Sequence, residues 1–246
     1  MASKTRTVAP MSPPLRADAR WGATALVWFT VLLCGSASAQ LSAHNSLRDQ
    51  FSTERASESL KSRSQSERLR AYARLSDIGT PHALQLLNAT VFELLARADR
   101  KDEARRLLLE LCRHADDSKT QISLLRVLLG SSDSESTDAS LRATAALSLA
   151  AEGSDSALAL LGRALHGEAG SSQLATQALL AHPPRNIRMF LSDPGSVALA
   201  QLLGNLADQR AFSTLRRWVK QGNAELQDAA LFALAQLGDY EVVPVA

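Results

Sequence analysis

The sequence predicts an all-α chain, a solenoid of stacked antiparallel helix pairs, on three observations. Apolar residues recur at helical spacing over most of the chain from Leu84 onward, strand-like alternation is absent, and the breaks between helices return in one fixed form. The 246 residues are 46% hydrophobic but only 4% aromatic, with two cysteines. That composition supports a substantial core and excludes collagen-like, disulfide-framework and broadly disordered chains.

Residues 1–39 read as a secretory signal. Lys4, Arg6, Arg16 and Arg20 stand against a single acid, Asp18, and precede the apolar run from Trp21 to Leu33. After Gly35, small residues at Ala37 and Ala39 give the A-x-A arrangement of a cleavage site, so the mature chain is expected to begin at Gln40. The apolar run is shorter than the roughly 20 residues that span a bilayer, which disfavours an uncleaved membrane anchor. Leu33 before Cys34 argues against lipid attachment, and Arg16 and Arg20 are not adjacent, so no twin-arginine signal is formed. No stable membrane span is expected after cleavage.

The formal net charge of +2 is positive only because that leader carries +3. Removing its four bases and one acid from the 27 Lys and Arg and 25 Asp and Glu leaves 23 bases and 24 acids. A chain so balanced lacks the basic domain of a nucleic-acid binder. Loss of Cys34 leaves Cys112 alone, on the apolar stripe Ala104, Leu107, Leu108, Leu111, where a buried, inert thiol is expected.

Residues 40–66 read as a polar N-terminal helix that caps the stack, carrying Arg48, Asp49, Glu54, Arg55, Glu58 and Lys61. Residues 67–130 read as degenerate helical repeats, 131–139 as a polar linker, and 140–246 as better-formed repeats of which the last is incomplete. Leu84, Leu87, Val91, Leu94 and Leu95 lie on one helix face, as do Leu199, Leu202, Leu203 and Leu206, and again Leu226, Ala230, Ala233, Leu234 and Leu237. His182-Pro-Pro184 and Asp193-Pro-Gly195 stop helices. The joints Ile78-Gly-Thr-Pro-His-Ala-Leu84, Glu152-Gly-Ser-Asp-Ser-Ala-Leu158, Leu206-Ala-Asp-Gln-Arg-Ala-Phe212 and Leu237-Gly-Asp-Tyr-Glu-Val-Val243 superpose in one frame. Each offers a residue to end one helix left-handed and a Thr, Ser or Asp to cap the next.

These residues resemble the HEAT-repeat family, in particular its bacterial PBS-lyase-like members. The best match runs from Glu225 to Ala246, with an alanine-rich second helix, a Leu-Gly-Asp joint and a Val-Pro start of the next helix. Leu141 to Leu165 and Leu69 to Leu87 match less closely, and residues 40–65, 98–135 and 167–195 depart from the pattern. The resemblance implies helix pairs whose second members line a concave face. Val242, Val243 and Val245 would then begin a helix with no later partner, so the chain is read either as a piece of a longer protein or as docking that face elsewhere.

No constellation identifies a reaction. The five histidines are dispersed, none forming a helical zinc pair, and no P-loop, dinucleotide fingerprint or nucleophile elbow occurs. His114-Ala-Asp-Asp117 reads as a solvated helix end, Asn88-Ala-Thr90 as a chance sequon, and Glu103 with Glu110 as ordinary surface carboxylates. The lyase activity that the family name suggests lacks an aromatic-lined pigment groove here.

The expectation is therefore a non-catalytic exported scaffold without a cofactor or metal, holding a protein or peptide partner in the periplasm. The alternatives are a lyase-like or chaperone-like modifier, an N-terminal piece of a larger envelope protein, or attachment to the membrane by an uncleaved signal. Candidate partner-binding residues are Arg70, Arg74 and Arg142, with Gln227 and Asp228, at non-core positions of second helices, and the basic and aromatic cluster Arg216, Arg217, Trp218 and Lys220. The simpler reading of that cluster buries Trp218 between repeats and leaves the cations in water.

Overall fold

The computed structural model describes residues 47–130, 138–192 and 194–239. The predicted signal with Ala37, Ala39 and Gln40, most of the predicted linker, and Val242, Val243 and Val245 lie outside them. Every regular element among the described residues is helical. In chain order these are α1 (47–60), α2 (Gln65–Ile78), α3 (Pro81–Leu95), α4 (Lys101–Cys112), α5 (Ser118–Leu129) and α6 (Ala139–Glu152). They continue as α7 (Asp155–Leu165), α8 (Ala169–Ala181), α9 (Arg188–Leu191), α10 (Val197–Asn205), α11 (Phe212–Gln221) and α12 (Ala224–Gln236). No helix among the described residues is long and apolar enough to cross a membrane.

The joints work as the residue pattern requires. Gly79 and Gly153 take φ of 61° and 64°, each sending its N–H back to a carbonyl of the finished helix, Leu75 or Leu149. Thr80 and Ser154 then accept the N–H groups of Ala83 and Ala157 to start α3 and α7. At the same place in the frame Gly238 has φ of 84° and Ala207 has φ of 53°, the one non-glycine residue left-handed among those described. Between α4 and α5 the device differs: Asp117 caps the N–H of Thr120, without a left-handed residue.

From residue 49 onward the helices pack in two layers. α2, α4, α6, α8, α10 and α12 each contact the next in that series, while α3, α5 and α7 do the same beside them. Sequence neighbours such as α3 and α4 or α11 and α12 tie the layers together. The core between them is mostly Leu and Ala, including Leu87, Leu107, Leu149, Leu161, Leu203 and Leu234, all with no exposed surface. Residues 98–129, where the repeat pattern fades in the sequence, hold α4 and α5 in the same two-layer order. The predicted polar cap carries exposed Leu47 and Phe51, and it buries Thr53 and Ala56.

The second layer is interrupted once. Between α8 and α10 the chain forms only α9, because Pro183 and Pro184 delay helix formation and Pro194 follows its end. α9 lies between α7 and α11: Met189 and Phe190 share a cleft with Gly162 and Arg163, and the Leu191 carbonyl accepts from Thr214 Oγ1 at 3.1 Å.

Close approach within the first layer depends on small side chains. At Gly204 of α10 an added Cβ would lie 2.9 Å from both Cα and Cβ of Ala233 on α12, whereas at Gly170 of α8 it would meet nothing within 4 Å. Gly204→Ala should therefore cost about 1–3 kcal/mol through overpacking, and Gly170→Ala should gain about 0.5–1 kcal/mol through helix propensity. Urea titration of the two variants checks the opposite signs.

Candidate functional site

Each helix of the first layer packs against its neighbours and keeps a stripe of exposed residues. On α2 the stripe is Arg70, Arg74 and Asp77, and on α4 it is Lys101, Arg105, Leu109 and Arg113. On α6 it passes through Leu147 and Ala151, on α8 through Gln173, Gln177 and Leu180, and on α10 through Gln201 and Asn205. α12 ends the series with Asp228 and Phe232. The three- and four-residue spacings put each set on one helix face, and contact between successive helices joins the sets into one surface.

The charge of that surface changes along the stack. Every cation of α4 has a carboxylate beside it. Arg105 lies 3.3 Å from Asp102, Arg113 3.1 Å from Glu110, Arg106 3.6 Å from Glu110, and Lys101 2.7 Å from Asp138. Lys101, together with the capped N–H of Ser140, holds the Asp138 carboxyl at about 2, below its ordinary value. α8 and α10 contain no charged residue. Leu147 of α6 and Leu180 of α8 are 41% and 38% exposed. One turn beyond Leu147 lies a cleft of about 490 Å³ formed by the C-terminal ends of α6 and α8, with Ala151, Glu152, His182 and Pro184 in its wall.

The predicted partner-binding residues divide into two kinds. Arg70 and Arg74 are exposed, and neither has a hydrogen bond or ion pair to a described residue. Arg142 is half-buried and occupied: its Nε and Nη2 donate to the Leu128 carbonyl at 3.1 and 2.9 Å, closing the end of α5. On α11 the three cations of the cluster stay exposed while Trp218 turns inward. Arg216 pairs with Asp239 at 2.7 Å, Arg217 donates to the Leu191 carbonyl at 3.2 Å, and Trp218 is 3% exposed. Trp218 thus belongs to the core. Lys220 remains exposed beside Arg216 and Arg217 in a cleft of about 450 Å³. Gln227 donates to the Gly222 carbonyl at 2.9 Å, and Asp228 is exposed.

Two residues read as surface carboxylates are buried. Glu103 is 3% exposed and receives Arg68 at 2.9 and 2.5 Å, Arg100 at 3.0 and 2.5 Å, and the Tyr72 hydroxyl at 3.3 Å. Hydrogen bonds from Arg68 lower its carboxyl most, and Arg100 adds to them against the opposing effect of burial, down to about 2. Glu110 is 6% exposed. A signal was present in the spacing, since Glu103, Leu107 and Glu110 share one helix face. The charged partner Arg68, 35 residues away, was beyond local pattern.

The remaining motifs are used internally. His114 Nε2 lies 3.0 Å from Ser76 Oγ while Asp117 turns to cap α5, so that run does not converge on a common point. No group of three or more metal-ligating side chains occurs among the described residues. Asn88 is 8% exposed and its Nδ2 donates to the Leu84 carbonyl and to Thr120 Oγ1 at 2.9 and 3.0 Å, which blocks the sequon in the folded chain. Cys112 is 2% exposed, 3.8 Å from the Ala145 carbonyl, and burial pushes its thiol up to about 12. It should resist iodoacetamide at pH 8 in the native chain and react within minutes in denaturant, as intact-mass measurement would record.

Comparison with protein-family models gives no match for this chain, and comparison with curated proteins gives none.

Proposed function

We propose that the chain is an exported α-solenoid of HEAT-like helix pairs, which binds a protein or peptide partner on the exposed stripe of α2, α4, α6, α8, α10 and α12. It acts in the cell envelope, in the periplasm, by holding its partner without covalent chemistry. The observation that carries this reading is the loss of charge along the stripe. From α8 to α10 the exposed positions are Gln, Asn, Leu and Ala, and Leu147 and Leu180 stand open on neighbouring helices beside a cleft. A single exposed leucine is ordinary, but an uncharged stretch over consecutive helices favours desolvation by a partner. Repeat stacks offer extended faces suited to this use. Export rests on the basic segment, apolar run and Ala37-Ser-Ala39 ending of the leader.

The test is affinity capture from the envelope of the source organism with wild-type and L147E/L180E baits, measuring retained proteins and the intact mass of the bait. The expected result is a stoichiometric partner reduced at least tenfold on the variant, with a bait that begins at Gln40. A partner held equally by both baits places the site elsewhere. A bait that retains residues 1–39 removes the cleaved-leader reading.

A further inference from the structure

We infer that the occupant of the stripe is a peptide segment acidic at one end and apolar along the rest, laid across α2 to α8 with its acidic end on α2. This rests on the partner-binding reading of the stripe and adds the partner's chemistry and direction. The cations of α4 already face Asp102, Glu110 and Asp138, whereas Arg70 and Arg74 have no ion pair to a described residue. Arg70 and Arg74 lie one turn apart on the same exposed face, where two guanidinium groups can receive carboxylates in charge-assisted hydrogen bonds. The two stripe cations without an ion pair to a described residue therefore sit at its α2 end, where the neighbouring Asp77 faces Arg113 at 3.4 Å and Glu67 accepts from Ser62.

Beyond the ion-paired cations of α4 the stripe loses its charge as far as α8, and each of α4, α6 and α8 sets one exposed leucine in it. Leu109, Leu147 and Leu180 are 37%, 41% and 38% exposed on α4, α6 and α8, which pack in that order. A basic segment would be repelled by Arg70 and Arg74, and a uniformly acidic one would set charges against Leu147 and Leu180. A segment that changes from acidic to apolar satisfies both regions. Packed helices are about 8–10 Å apart, so α2 to α8 spans roughly 24–30 Å, the length of a helix of about 16–20 residues.

The test is a display selection of random 20-residue peptides on the full chain and on R70E/R74E and L147E/L180E variants. The substituted side chains are exposed, and circular dichroism confirms that each variant is folded. Peptides with clustered acids followed by apolar residues are expected, bound at least tenfold less well by each variant. Reselection on R70E/R74E is expected to replace the acids by Lys and Arg. Peptides without acids that are lost on L147E/L180E would overturn the inferred chemistry while leaving the stripe as a binding face. Peptides that bind L147E/L180E as well as wild type, or no enrichment, would overturn both readings.

Discussion

Replacing Glu103 by Gln is expected to lower the stability of the folded chain by about 3–5 kcal/mol, because it leaves Arg68 and Arg100 without their shared counter-charge in a largely buried place. The Glu103 side chain is 4% exposed and those of the arginines 13% and 22%, so water does little to replace the lost carboxylate. The pH dependence has a definite sign. The folded-state pKa lies at about 2, below the ordinary 4.5, so the folded state favours the ionised form. The stabilisation is fully present above the unfolded-state value and is lost as pH falls from about 4.5 through 2, with an amplitude of about 3 kcal/mol. Urea titrations between pH 7 and pH 2 should show wild type converging on Glu103→Gln over that window. A constant difference across it would mean that the ion cluster is not the source of the stability.

Trp218→Ala is expected to cost about 3–5 kcal/mol, through loss of one of the largest buried side chains in the C-terminal part of the stack. Gly195 lies against the ring, since a Cβ there would come within 2.7 Å of Trp218 Cε2, so the indole fills a space shaped for it. Its Nε1 is buried without an acceptor among the described residues. Trp218→Phe removes that unsatisfied donor and keeps much of the burial, so its cost should stay below about 1.5 kcal/mol. For a chain of this size 1 kcal/mol corresponds to about 2–4 °C, and the two variants should separate clearly in a thermal melt. Equal losses would show that the indole nitrogen has a partner in solution. No loss for Trp218→Ala would return the residue to the surface.

The sequence made the joints legible because their chemistry is local. A helix end needs a left-handed residue and the next start needs a side-chain acceptor, and both occur within two positions at Gly79-Thr80 and Gly153-Ser154. Ala207 shows that the frame also identifies a left-handed position when glycine is absent. The apolar stripes were legible too: Leu84, Leu87, Val91 and Leu94 are buried on α3, and Leu226, Ala230, Ala233 and Leu234 on α12. Long-range pairing was not legible. Glu103 and Arg68, Arg142 and the Leu128 carbonyl, and Arg216 and Asp239 meet only after neighbouring helices have packed.

The exposed stripe was read only in part. Arg70 and Arg74 stood out as polar positions on a second helix. Leu147 and Leu180 did not, because a leucine within an Ala-Leu helix gives no sign of which side the next helix covers. Exposure of these leucines becomes visible only when contact order fixes the face.

The most direct measurement is site-specific photocrosslinking in the source organism, with p-benzoylphenylalanine placed singly at Leu147 and Leu180 of the stripe and at Arg163 and Ser213 on exposed positions of α7 and α11. Binding on the stripe predicts a discrete crosslinked product of the same mass from positions 147 and 180 and none from 163 or 213. A product from 163 or 213 alone, or none from any position, would contradict a partner held by the first-layer face.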